Sequence, residues 1–398
     1  MGSEWTTSTV GEFCPFKYGK GLPQRARVAG LFPVMSSAGV VASHTEPLVK
    51  SPGIVIGRKG TAGSVTFAPG PFWPIDTAFY VEDDPTNRDI RFTYYLLKTL
   101  ALSEMNSDSA VPGLNRENAH AVAVCIPSLA MQAEIASFLG ALDDRISLLR
   151  ETNATLEAIA HALFKSWFVD FDPVRAKMEG RAPEGMDEAT ATLFPDSFEE
   201  SELGLVPKGW GVTSLDAVAS FLNGLALQKF PPTGIDDLPV IKIAQLRKGD
   251  TVGSDLASRT IKPEYVVKNG DVLFSWSGSL EVEIWCGGEG ALNQHLFKVT
   301  SSDYPKWFYY LWTRQHLDNF RQIAASKATT MGHIQRRHLS DAKVVVASDT
   351  VLKAVDEILS PFIERIVVNL VQAQTLATLR DTLLPRLISG QLRLPHDN

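Results

Sequence analysis

No apolar run in this chain reaches the roughly 18 residues that a membrane-spanning helix requires, although 44% of its 398 residues are hydrophobic. Those side chains are therefore expected inside soluble cores, and no membrane partner is expected. No signal-peptide pattern opens the chain. Cysteine is scarce: Cys14, Cys125 and Cys286 are far apart and odd in number. That spacing excludes a disulfide framework or a zinc site and points to reduced interior residues of a cytoplasmic protein.

Catalytic signatures are missing as well. No glycine-rich loop follows a strand as a nucleotide cradle needs, and "CGGEGAL" (286–292) opens no helix with an apolar face. His333 and His338 have no carboxylate or Cys beside them, so no metal is expected. "FDPV" (171–174) and "DDPT" (83–86) lack the second proline and the aromatic of an Asp-Pro-Pro-Tyr element. Asp196 and the Asp341-x-Lys343 segment are too far apart to make a nuclease pattern.

The net charge of −7 argues at first against a polyanion partner, but its distribution reverses that argument. Residues 179–202 carry eight acids against the single base Arg181, so the rest of the chain is neutral overall. Residues 17–59 hold seven bases against Glu46, and residues 306–338 hold six against Asp318. Two separate basic regions suit a polyanion contacted twice.

What the sequence does hold is a repeat. "RFTYYLLKTL" (91–100) resembles "KWFYYLWTRQ" (306–315), and "LNREN" (114–118) precedes "IQRRH" (334–338) by 220 residues. At that offset Leu139, Ile146, Leu156 and Leu163 meet Leu359, Ile366, Leu376 and Leu383. Each half thus predicts a mixed α/β module with short strands and Gly/Pro turns, followed by a long helix near 130–168 and near 350–388. The boundaries expected are a first module at 1–127, a central helix at 128–170, an acidic surface linker at 171–203, a second module at 204–346 and a C-terminal helix at 347–398. Pro361 and Pro385 fall inside the second helix and predict a kink or a delayed start, and an end near Pro385.

Leu142, Ile146, Leu149, Asn153, Leu156, Ala160, Leu163 and Trp167 recur at three- and four-residue steps, a narrow seam on one helix face. The simplest partner for that seam is its own repeat, packed antiparallel through Phe362, Ile366, Leu376, Leu383 and Leu387. Leu142 is then expected near Leu387, and Trp167 near Phe362. Asn153 is a polar intrusion of the kind that fixes register.

This plan, with "HALFKSWFVDFDPVRAKMEG" (161–180), "LNRENAHAVAVCIPSLAMQAEIASFLGALDDRI" (114–146), "GRKGTAGSV" (57–65) and "LRDTLLPRLISGQL" (379–392), resembles the specificity subunit of type I restriction–modification systems. The resemblance implies an α+β chain of two target-recognition domains with mixed sheets, separated by two long antiparallel helices in a pseudo-two-fold repeat. It implies a non-catalytic subunit that reads a bipartite, asymmetric double-stranded DNA site. Two modification (methyltransferase) subunits and restriction subunits are the implied partners. S-adenosylmethionine would sit on the modification subunits, with no cofactor on this chain. The competing readings are a free-standing methyltransferase or nuclease, and a protein-only coiled-coil scaffold.

Arg and Lys suit guanine, Asn and Gln suit adenine, and Ser and Thr serve base or phosphate. On that basis the candidate DNA contacts of the first module are Lys17, Lys20, Gln24, Arg25, Arg58, Lys59, Thr61, Asn115 and Arg116. Those of the second are Gln228, Lys229, Ser275, Ser277, Lys327, Thr329, Thr330, His333 and Arg336. The second tip reads "SWSGS" where the first reads "RKGTA", so the modules are expected to read different bases.

Overall fold

The structure, a computed structural model, describes residues 5–105, 113–326 and 332–394. The chain divides into two compact units, Met1–Arg145 with Leu376–Asn398, and Ile146–Thr375. Each long helix is therefore shared between units.

In the first unit, strand Trp5–Thr9 pairs antiparallel with Ala123–Pro127. A four-stranded sheet follows in the order Lys17–Tyr18, Ala78–Glu82, Gly53–Gly57, Val65–Ala68. A smaller sheet joins Gly39–His44, Phe32–Ser36 and Trp73–Pro74, the last pair parallel. Strand Gly53–Gly57 is buried throughout because both of its faces are covered. Ile54 and Ile56 enter one core with Phe92, Leu96 and Leu139, while Val55 enters another with Met35 and Phe72. That split is the period-two alternation of a strand. Helix Ile90–Lys98 begins where the Asp89 carboxylate accepts from Phe92 N at 2.8 Å.

The second unit repeats the plan. Gly211–Ser214 pairs with Lys343–Val346. One sheet runs Ser220–Asn223, Leu296–Thr300, Val272–Ser275, Val282–Ile284, and the other runs Leu256–Ala257, Leu238–Ile241, Gly290–Leu292, Val266–Val267. Val272 and Phe274 enter one core and Leu273 another, as in the first unit.

The long helices are Leu129–Phe168 and Asp349–Ile388, 40 residues each, on the order of 60 Å apiece. In the first unit Asp143 accepts from Arg380 at 2.6 Å, and Leu139 shares a core with Leu384 and Leu387. In the second unit Asn153 Nδ2 donates to Ile366 O at 3.1 Å, and Asn369 Nδ2 donates to Asn153 Oδ1 at 2.8 Å. Within the first unit the partners fall from Leu384 and Leu387 at Leu139 to Arg380 at Asp143, which is the order of an antiparallel pair. Of the seam residues, Ile146, Leu149, Asn153, Ala160, Trp167, Ile366 and Leu387 are buried, and Leu142, Leu156, Leu163, Phe362, Leu376 and Leu383 are partly so.

Three expectations are corrected here. The helix register in the first unit differs by about two turns: Asp143 meets Arg380, where the expected alignment placed Leu142 near Leu387. In the second unit the Asn153–Asn369 bond has nearly the same offset, a buried polar contact of the kind that favours one register over its neighbours. The second helix also starts at Asp349 and continues through Pro361 with no delayed start, while its end at Ile388, just past Pro385, is as expected. Glu357 and Asp381, whose carbonyls those prolines cannot serve, are exposed, as are both prolines, so water can reach the freed groups. Finally, residues 171–203 are not a mere surface linker. They form helices Asp172–Met178 and Glu188–Leu193 and strand Phe198–Ser201. Phe171 and Phe194 enter the core of the second unit beside Trp210.

Candidate nucleic-acid interface

In the first unit the buried strand Gly53–Gly57 leads directly into Arg58. The tip that follows turns back tightly. Gly60 and Gly63 have φ of +80° and +76°, and a Cβ on Gly57 would stand 2.0 Å from Thr61 O. Leu114 N donates to Arg58 O at 2.9 Å, and Lys59 bridges Gly113, so a distant segment is tied to the tip. Asn115 then caps the short helix Arg116–His120, its Oδ1 accepting from Glu117 N at 2.8 Å and Asn118 N at 3.1 Å.

The result is a pair of arginines on one ring. The Arg58 guanidinium lies 5.0 Å from the Tyr18 centroid and the Arg116 guanidinium 4.9 Å, with Tyr18 itself 50% exposed. Arg58 Nη1 donates to Asp76 O at 3.2 Å. Arg116 bonds Glu117, whose carboxyl it holds below the usual range. His120 Nε2 accepts from Phe16 N at 2.8 Å, tying the strand that carries Tyr18 to the short helix. Burial, with Arg116 assisting, lowers the His120 pKa and favours this neutral acceptor. Lys17 pairs with Glu82. Lys20, Gln24, Arg25, Lys59 and Thr61 are exposed around the same sheet edge and tip.

The second unit builds the corresponding loop with other side chains. Ile334 N donates to Trp276 O at 3.0 Å, and Ser277 bridges His333. Helix Arg336–Asp341 follows, and the Arg336 guanidinium lies 5.6 Å from the Phe297 centroid. Trp276 Nε1 donates to Asn223 Oδ1 at 2.9 Å and to Gln294 O at 3.1 Å. His333 is exposed, with its ring 6.3 Å from that of Trp276. Gln228 and Lys229 are exposed on the turn Leu227–Lys229.

Several candidate readers change role. Ser275 is 0% exposed; it donates to Ser279 O at 2.5 Å and accepts from Glu281 N at 2.8 Å, so it holds the turn and does not face solvent. Ser277 is buried against His295 Nδ1 at 2.9 Å. Asn115 commits its carbonyl oxygen to the helix start, which removes the acceptor that a two-bond adenine contact needs. Lys327, Thr329 and Thr330 lie outside the described residues. Sequence reasoning also missed Tyr18, Asn223 and Trp276. The interleaving of base and aromatic in "KYGK" (17–20) was the available signal for Tyr18.

One acidic group lies apart from these loops. Glu283, on strand Val282–Ile284, faces a cavity of about 420 Å³ lined also by Arg150, Glu157, Lys248 and Gln374. Burial pushes its carboxyl up to about 7, with Arg314 opposing. The folded chain therefore holds this proton more tightly than the unfolded chain, and the contribution of Glu283 to stability falls as pH rises from about 4.5 through about 7. Glu283→Gln is expected to remove that loss, raising the urea midpoint more at about pH 8 than at about pH 5.5. Equal gains at both pH values would contradict the assignment. No group of His, Cys, Asp and Glu suited to a metal occurs among the described residues.

Two copies of one mixed α/β module, each continuing into a long helix and each setting an arginine of its short helix beside an aromatic ring, define a duplicated α/β architecture. Known proteins with a similar sequence or fold are specificity subunits. Residues 2–158 match the family model described as the type I restriction modification DNA specificity domain. The chain is 26% identical over 316 residues to the MjaIX specificity subunit of Methanocaldococcus jannaschii, covering 76% of this chain and 69% of that one. It is 25% identical over 332 residues to the HindI specificity subunit of Haemophilus influenzae, covering 71% of each. The crystal structure of a type I restriction–modification S subunit from M. genitalium shares the fold, with a TM-score of 0.57 over 99% of this chain and 97% of that one at 15% identity. The chain is thus similar over most of its length to specificity subunits of type I restriction enzymes, and the family's DNA specificity domain is matched at residues 2–158.

Proposed function

We propose that this chain is the DNA-reading specificity subunit of a type I restriction–modification complex, each unit reading one half of a split, asymmetric site. The supporting observation is that one loop position, framed identically in both units, carries Arg58 in the first and Trp276 in the second. Identical frames suit docking on the same kind of ligand, and different side chains suit different bases. The long helices serve as spacer and as the docking surface for two modification subunits, with restriction subunits completing the cleaving assembly. The chain itself performs no chemistry, and S-adenosylmethionine is held by the modification subunits. The complex works in the cytoplasm. No helix among the described residues is long and apolar enough to cross a membrane.

A chain of net charge −7 supplies little phosphate neutralisation of its own, so DNA affinity is expected to need the partner subunits and to fall steeply with salt. The test is a module exchange read by methylome sequencing of a host that also makes the modification subunits. Residues 171–346 should be exchanged together, because Phe171 and Phe194 pack on Trp210. Only one half of the methylated motif is expected to change. A change in both halves, or methyl transfer by the purified chain alone, would overturn the reading; a free-standing methyltransferase predicts the second outcome. Complete failure of the assembled complex to retain DNA would instead favour a protein-only scaffold.

A further inference from the structure

Strand register makes the two recognition loops comparable residue by residue. In the first unit Phe79 pairs with Tyr18 on one side and Ile56 on the other, and Arg58 stands two residues beyond Ile56. In the second unit Phe297 pairs with Asn223 and Phe274, and Trp276 stands two residues beyond Phe274. The carbonyls of Arg58 and Trp276 accept equivalent bonds, from Leu114 N and Ile334 N. The Arg58–Tyr18 couple of one unit is thus replaced, at the same two positions, by Trp276–Asn223 in the other. The arginine of the short helix is kept in both, as Arg116 and Arg336.

We propose that Arg58, aligned by Tyr18, is the guanine-reading side chain of the first unit, and that Trp276–Asn223 leaves the second half-site without that guanine contact. This rests on the DNA-reading function proposed above. The Arg58 guanidinium is held twice, by the Tyr18 ring and by Nη1 on Asp76 O. Its Nε and Nη2 make no hydrogen bond among the described residues, which leaves one two-donor edge for O6 and N7 of a guanine. A guanidinium fixed against an aromatic face loses less freedom on binding than a free one. Trp276 offers no such edge. Its single N–H is already committed to Asn223 and Gln294, and what remains is an apolar indole surface. Arg116 and Arg336, common to both units, suit the phosphate contacts that position each unit without reading sequence.

The experiment uses the full chain with its modification subunits and reads methylation motifs across the host genome. Arg58→Gln is expected to reduce preference at one guanine of the first half-site roughly 10- to 100-fold, with the second half-site unchanged. Arg58→Lys keeps the charge but not the fork and is expected to lose the same guanine while methylation continues. Tyr18→Phe keeps the motif, and Tyr18→Ala weakens that guanine. Trp276→Arg with Asn223→Tyr is expected to add a guanine to the second half-site. An unchanged motif in Arg58→Lys, or a change confined to the second half-site, overturns the assignment while the DNA-reading function stands. A wild-type complex that methylates no split motif overturns both.

Discussion

Asn153→Ala is expected to lower the urea midpoint of the chain by the largest amount of any single polar truncation in the helix pair. Asn153 and Asn369 are 4% and 1% exposed. Asn153 Nδ2 serves Ile366 O, and its Oδ1 receives Asn369 Nδ2. Asn369 Oδ1 has no partner among the described residues, so the Asn153 bond is what satisfies that buried amide. Removing it strands a polar group in an apolar seam, at a cost of about 1–3 kcal/mol, and the lost side-chain volume adds to it. The double variant Asn153→Leu with Asn369→Leu should behave in the opposite way, because replacing both members of a buried polar pair by apolar groups of similar shape is neutral or stabilising. Its expected defect is different: without the amide bond the helices lose the feature that distinguishes one register from its neighbours. If the alanine variant unfolds within about 0.5 kcal/mol of wild type, as an ordinary surface substitution does, the pair is not a register lock.

The long helices, the internal repeat and the basic tip were legible because each rests on local pattern: heptad-like spacing, a constant offset, and glycines beside bases. What was not legible depended on contacts between distant strands. Nothing near Arg58 in the chain announces that Tyr18 lies beneath it; the two meet only because strands Lys17–Tyr18 and Gly53–Gly57 flank the same strand Ala78–Glu82. Ser275 and Ser277 looked like tip residues by spacing, yet the second turn folds their hydroxyls inward, onto Ser279 and His295. Acidic composition made residues 171–203 resemble a linker, and it outweighed the aromatic anchors Phe171, Phe194 and Phe198 that fold the stretch onto Trp210 and its neighbours. The helix register was misjudged because apolar positions repeat along both helices and tolerate several alignments, whereas the single polar couple at Asn153 tolerates one.

Lengthening both long helices together is expected to lengthen the unread gap in the methylated motif. If the helices are the spacer, seven residues added to each, after Arg145 and after Thr375 where the helices pass from one unit to the other, extend each helix by about 10.5 Å. A seven-residue step returns side chains to nearly the same face, about 20° out of phase, so the Asp143–Arg380 and Asn153–Asn369 contacts both remain possible within their own units. One base-pair step is about 3.4 Å, so the gap is predicted to grow by about three base pairs. Both half-sites should keep their sequence, because neither recognition loop is touched. An insertion in one helix alone shifts one partner against the other, and it should unfold the pair or break the Asn153–Asn369 bond before it changes any spacing. Matched insertions that leave a stable, methylating complex with its original gap would show that the distance between half-sites is set elsewhere, by the partner subunits or by the DNA itself.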